Sequence, residues 1–291
     1  IYLLCAVIGL SSLLTVCGNL LVITSVIYFR QLHTPTHYLI LSLAVADLLV
    51  GVIVLPFSAA LIVNPCMYLQ TFICRVRNVC DIFMCTTSIL NLCFISLDRY
   101  HAVCQPLKYR MIINVRVTVG MIVLSWCLPV LIAICITMSD MNKKKSQTRC
   151  LLFQTPSLTL LIIGTVLLLY LPAVIILTTY IKILIVAQRQ ARAIENAACL
   201  SGKPGEMISK KQNKATRTLA IIIGVFLTCW TPFSFCVTFN PLTNYTIPVP
   251  VIESFKCFGW SNSMLNPFVY AFFYSWFRSA FRMIISGQIF Q

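Results

Sequence analysis

Asp81-Ile82-Phe83-Met84-Cys85-Thr86-Thr87-Ser88-Ile89-Leu90-Asn91-Leu92-Cys93-Phe94-Ile95-Ser96-Leu97-Asp98-Arg99-Tyr100 is a largely apolar run that carries charge only at its two ends. Asp81 and Arg99 stand 18 positions apart. In an α-helix that is about five turns, so both side chains leave the same face, roughly 27 Å apart. This is close to the roughly 30 Å hydrocarbon thickness of a bilayer. The run therefore reads as one membrane-spanning helix, about 69–104, with a carboxylate near one face and an acid–base pair at the other.

The rest of the chain agrees with a membrane solvent. Of 291 residues, 59% are hydrophobic and 10% charged, with mean hydropathy +0.91. A soluble domain carries about 25% charged residues. The apolar runs are long and do not alternate, which predicts helices rather than a barrel. Seven such runs are read at about 1–29, 36–64, 69–104, 113–138, 156–190, 213–240 and 248–273. They predict an all-α membrane protein, a single seven-transmembrane-helix bundle over residues 1–291. No leader is read at Ile1, which already lies in the first run. A short amphipathic helix is expected at about 275–285, with Phe277, Phe281, Ile284 and Ile285 toward lipid and Arg278 and Arg282 toward water. The stretch 191–212, which contains Gly202, Pro204 and Gly205, reads as the longest loop.

The formal net charge of +15 is placed by topology. With the loop after the first run set inside, 15 of the 22 lysines and arginines share one side. That excess marks the cytoplasmic face and fits attraction to anionic lipid, with no call for nucleic acid. An odd number of spans then leaves the N-terminus outside and the C-terminus inside. Most of the 15 cysteines lie in apolar runs, as small buried hydrophobes.

Polar residues inside such runs need partners. Asn19 should face the bundle. Asp47, with Ser88, Asn262, Ser263 and Asn266 as companions, would form a pocket for water or Na⁺. Pro56, Pro172, Pro232 and Pro267 should each bend a helix, since proline removes a backbone donor. Trp126 and Pro129 read as packing.

The chain resembles the rhodopsin-like (class A) G-protein-coupled receptors over nearly its whole length. The resemblance is carried by Gly18-Asn19, Leu43 to Asp47, Asp98-Arg99-Tyr100, Trp126, Cys229-Trp230-Thr231-Pro232 and Asn266-Pro267-Phe268-Val269-Tyr270, in order on successive runs. The stretch from Asn262 to Phe277 is similar to the seventh-helix signature of the trace-amine-associated receptors. Cys257, Trp260 and Ser275 depart from the usual residues.

The resemblance implies a plasma-membrane receptor in which Asp81 holds a ligand ammonium and Arg99 meets a heterotrimeric G protein, with Gs and cyclic AMP as the family's expected output. It implies a disulfide between Cys74 and Cys150. It also implies a relay from Trp230 through Pro172, Ile89 and Phe226 to Tyr180 and Tyr270, beside Asp98, Tyr100 and Pro267. The role is either olfactory or central.

The seven acids can then be sorted. Asp98, Glu195 and Glu206 fall inside and Asp47 mid-membrane, leaving Asp81, Asp140 and Glu253 in the outer half. Asp81 is the ammonium anchor, with Trp230, Phe233 and Trp260 as an aromatic cage. Cys85 and Thr86 lie a turn below, Gly164 and Thr165 on the fifth-helix wall, and Ser234 opposite. The competing reading of Asp81 is an internal ion pair with Lys256. Glu253 shares a face with Trp260, so a second carboxylate in the cavity would suit a diamine or polyamine over a simple primary amine. The competing reading is an i,i+3 bridge from Glu253 to Lys256.

Other classes fit less well. A serotonin-like aminergic receptor is the nearest alternative. An amine transporter or channel lacks the expected repeats or charged path. A retinal protein would need a lysine where Trp260 stands. No nucleophile–base or metal-ligand constellation supports an enzyme, and no cofactor is implied beyond Na⁺ at Asp47 and Ser88.

Overall fold

The computed structural model describes residues 2–63, 71–141, 164–201, 206–243, 246–273 and 275–286. Among them there is no strand. The first span is α1, Tyr2–Tyr28. The second is α2, Pro35–Leu49, which passes through a π-turn at Val50–Val54 into α3, Leu55–Val63. The third is α4, Thr71–Cys104, followed by the short α5, Pro106–Ile112. The fourth is α6, Val115–Met141. The fifth enters through a π-turn at Val166–Tyr170 and continues as α7, Leu171–Ser201. The sixth and seventh are α8, Glu206–Phe239, and α9, Val249–Phe273. Last comes α10, Ser275–Ile285.

Local chemistry sets several of these limits. Pro35 and Pro106 each open a helix, where a missing N–H costs nothing. Asn114 caps α6, its Oδ1 accepting from the Val117 N–H at 3.0 Å. The two π-turns have a common cause. In each, a backbone N–H reaches five residues back, Leu55 to Val50 and Leu171 to Val166. Each stands just ahead of a proline, Pro56 and Pro172. A proline ring clashes with the carbonyl four residues earlier, here Val52 and Leu168, and each lies inside the widened turn that makes room.

Pro267 is accommodated differently. It cannot donate to the Ser263 carbonyl, and Asn19 Nδ2 of α1 takes that acceptor at 3.2 Å. The same Nδ2 also bonds Thr15 O at 2.9 Å. Gly18 lets the helices close, since a Cβ there would stand 2.9 Å from Pro267 Cβ.

Helix α4 packs on α2, α6 and α7, while α1 meets α2 and α9, and α8 joins α7 to α9. Burial follows this order: 67% of the apolar window of α4 is buried, against 22% for those of α1, α6 and α7. The third helix is thus the axis of the bundle. Among the described residues, six helices are long and apolar enough to cross a membrane. The seventh span falls outside that set because Ser261, Asn262, Ser263 and Asn266 lower its mean hydropathy, and the last three are buried inward.

One expectation needs correction. The stretch 191–212 is not a long loop, because α7 continues to Ser201 and α8 starts at Glu206. Straight-chain residues and alanines there favour helix, and Gly202, Pro204 and Gly205 lie outside the described residues. Helix α10 forms with Phe277 and Ala280 buried, and packs against α1 and α9.

Replacing Gly18 by valine should lower the stability of the purified receptor by about 1–3 kcal/mol, the usual cost of overpacking. Gly9→Val should be neutral, because nothing lies within 4 Å of a Cβ at that position. Melting both variants in detergent micelles checks the pair, and equal midpoints would remove the packing role of Gly18.

Candidate functional site

Three groups of polar side chains ride on α4, at its two ends and its middle. The middle group surrounds Asp47 of α2, which is fully buried. Ser88 and Ser263 donate to Oδ1 at 2.7 and 2.8 Å, and Asn266 donates to Oδ2 at 2.7 Å. Asn262 is buried nearby in sequence, but its Oδ1 accepts no hydrogen bond. The carboxylate is therefore held by three neutral donors from two other helices. These oxygens are of the kind a hard cation such as Na⁺ would take.

At the Arg99 end, Asp98 is fully buried and accepts from four directions. Thr36 Oγ1 donates to Oδ2 at 2.8 Å, and Tyr109 to Oδ1 at 2.7 Å. Arg99 folds back on it, Nε at 2.9 Å and Nη2 at 2.6 Å from Oδ2. Arg99 also reaches the Thr36 hydroxyl. Burial and the Asp98 carboxylate raise the Tyr109 phenol above its ordinary value, so it remains a donor at neutral pH. Tyr100 lies 5.7 Å below the Lys182 ammonium. Thr36 and Tyr109 went unrecognised in the sequence, since neither belongs to a motif.

At the other end, two stripes of side chains face each other. On α4, Arg77, Asp81 and Cys85 recur every four residues. On α9, Glu253, Lys256 and Trp260 recur at three and four. Arg77 Nη2 meets Glu253 Oε2 at 2.8 Å. Lys256 Nζ meets Glu253 Oε1 at 3.2 Å and Asp81 Oδ2 at 3.1 Å. Trp260 Nε1 donates to Asp81 Oδ1 at 2.8 Å, where the Cys85 thiol also points at 3.3 Å. Arg77 and Lys256 lie 6.0 and 5.4 Å from the Trp260 ring centroid. Arg77, Lys256 and Trp260 are at most 4% exposed, so this is a buried chain of alternating charge.

The ion-pair reading of Asp81 thus describes the structure, and so does the i,i+3 bridge from Glu253. The sequence had offered Glu253 as a free second carboxylate, but both its oxygens are taken by cations of the chain. Arg77 had gone unrecognised. Its signal was present: it stands one turn before Asp81 on the same face.

The remaining candidates lie around this chain. Trp230 and Phe233 are buried and meet edge to face at 6.1 Å. Gly259 presses on the Trp230 ring, with 3.1 Å from a Cβ position to the ring carbons. The Trp230 indole N–H is buried without a hydrogen bond. Ser234 Oγ bonds its own helix at Trp230 O, 2.8 Å away. Thr86 is buried, and Gly164 and Thr165 are half-buried. Pro172 is buried, and Ile89, Phe226 and Tyr270 belong to one core cluster with Tyr180 at its edge. The Trp126 indole donates to Ser42 at 2.9 Å, a packing role. The expected Cys74–Cys150 disulfide is not described, because Cys150 lies outside the described residues.

Lys256→Met should strip Asp81 of its counter-ion and destabilise the receptor by about 3–5 kcal/mol, the cost of breaking a buried pair. Adding Asp81→Asn should recover most of that loss, because no unpaired charge then remains. Thermal melts of the two singles and the double measure the coupling; simply additive losses would deny it.

Comparison with known proteins places this arrangement. Residues 18–270 match the family model "7 transmembrane receptor (rhodopsin family)". The chain is 38% identical to mouse trace amine-associated receptor 4, over 96% of this chain and 83% of that protein. It is 39% identical to human trace amine-associated receptor 1, over 96% and 86%. With mouse trace amine-associated receptor 5 the identity is 37%, over 100% and 86%. These relatives are receptors rather than enzymes, and the apolar spans make this a multi-pass protein of the plasma membrane. The chain belongs to the rhodopsin-like seven-transmembrane receptors and, within them, to the trace amine-associated receptor family.

Proposed function

We propose that this receptor takes a small amine at Asp81, with the N-terminus and the Asp81 end outside the cell and the Arg99 end inside. Binding would be relayed to a heterotrimeric G protein, with Gs and a rise in cyclic AMP as the output. One observation carries the amine reading. An alkylammonium, that of Lys256, already lies 3.1 Å from Asp81 Oδ2 and 5.4 Å from the Trp260 ring. Its contacts stand in for those of a ligand amine. They combine the charge-assisted hydrogen bond and the aromatic face that such a group needs. The names of the relatives point to the same ligand class.

Signalling needs a ligand that binds one state of the receptor better than the other. In this structure Arg99 is bonded to Asp98 and Thr36, which suits the resting state. Release of Arg99 would present it to the G protein. Trp230, Phe226, Ile89 and Tyr270 lie in one core cluster with Tyr180 packed against it, and with Pro172 they would form the relay between the two ends. The Asp47 cluster, able to hold Na⁺, would bias the same equilibrium. A diamine or polyamine ligand is less well supported than the sequence suggested, since Glu253 is occupied by Arg77 and Lys256.

Cells expressing the receptor should raise cyclic AMP to some member of an amine panel, and Asp81→Ala should abolish that response at equal surface expression. An unchanged response in that variant would overturn the assignment of Asp81. A response seen only through calcium or potassium readouts would replace Gs by another G protein.

A further inference from the structure

Among the described residues, the chain of charge at the Asp81 end is balanced. Asp81 and Glu253 supply two negative charges, and Arg77 and Lys256 two positive ones. Every link between them is 3.2 Å or shorter. A monoamine that entered and took Asp81 would leave the cluster with one uncompensated buried cation. A diamine would leave two. An unpaired charge in such a site is strongly unfavourable. A ligand carrying one ammonium and one carboxylate adds no net charge.

The donors point the same way. An ammonium has three N–H donors. Two of those on Lys256 are used, by Asp81 and Glu253. No other acceptor for Nζ is found among the described residues. Lys256 is 4% exposed, so this is a buried donor with capacity to spare. A ligand carboxylate would supply the missing acceptor and draw Lys256 off Asp81. The ligand's own ammonium would then take the vacated oxygen beside Trp260. Glu253 would keep its pair with Arg77 throughout.

We propose that Lys256 makes this receptor selective for zwitterionic ammonium carboxylates, its ammonium receiving the ligand carboxylate while Asp81 receives the ligand ammonium. The inference rests on the amine-anchor role of Asp81 and narrows it. Lys256 is then the specificity-determining residue, and it disfavours simple amines by occupying their site until a carboxylate moves it.

The test is direct binding to the purified receptor by thermal shift and calorimetry, which needs no G protein. The probes are the common α-amino acids, 4-aminobutanoate and 5-aminopentanoate, each matched to its decarboxylated amine and its methyl ester. The wild type should prefer at least one zwitterion over its amine and ester by roughly tenfold to a hundredfold, the range of a hydrogen bond between charged groups. Lys256→Met should reverse that order, and Lys256→Arg should preserve it. Amines or esters binding the wild type as well as the matched zwitterions would overturn the proposal, as would the absence of binding by any zwitterion. That wild-type comparison stands even if Lys256→Met folds poorly. Asp81→Ala separates the two readings. Zwitterion binding that ignores this variant removes the amine anchor itself. Amine binding that needs Asp81 but shows no zwitterion preference removes only the role of Lys256.

Discussion

The Asp81–Lys256 ion pair is the contact on which the Asp81 end of this receptor depends. It joins the most buried helix to the seventh span through side chains that would each be costly alone. Among the described residues, Asp81 without Lys256 is a carboxylate facing an indole and a thiol. Lys256 without Asp81 leans on a glutamate already shared with Arg77. Because truncating one partner of a buried pair costs more than the pair contributes, the four residues stand or fall together. The consequence is a buried cluster in which, among the described residues, two acids and two bases are paired with one another.

The opposite end of α4 uses the same economy of means. Asp98 collects Thr36, Arg99 and Tyr109 from three helices. Between the ends, Asp47 collects neutral donors only. Each carboxylate along the axis is thus satisfied by a distinct chemistry: an ammonium from the seventh span at the Asp81 end, hydroxyls and an amide in the middle, a neighbouring arginine at the Asp98 end. A receptor must hold its resting state with contacts that a ligand or partner can replace one for one. Ion pairs at the ends meet that need, because their partners can be exchanged for other charged groups.

Much of this was legible in the sequence. Spans show through composition, since lipid demands long apolar runs whatever their order. The Asp47 companions were visible because polar residues in such runs must find one another, and Ser88, Ser263 and Asn266 do so. Asn262 had the same credentials and does not bond the carboxylate, because sequence gives proximity along a helix and not the direction of an amide. Lys256 was ambiguous for a stronger reason. A cation beside two acids can neutralise either or both, and only the distance across to α4 decides. Arg77 was overlooked as one charge among several near the helix end, although its four-residue spacing from Asp81 placed it on the same stripe. The helical continuation from Ala191 to Ser201 was hidden because Gly202, Pro204 and Gly205 close by read as loop punctuation.

The widened turns before Pro56 and Pro172 carry a consequence for angular phase. Successive residues of a regular helix advance by about 100°, and a π-turn absorbs roughly one additional residue. A helical wheel drawn straight through 36–64 or 156–190 therefore slips by about that angle at the turn. Residues such as Gly164 and Thr165 belong to a wheel of their own, rotated relative to the one that Pro172 and Tyr180 define. Any relative that lacks a proline at either position would present a different set of side chains from an otherwise matching helix. Ligand preference could then change between family members without any substitution among the residues that touch the ligand.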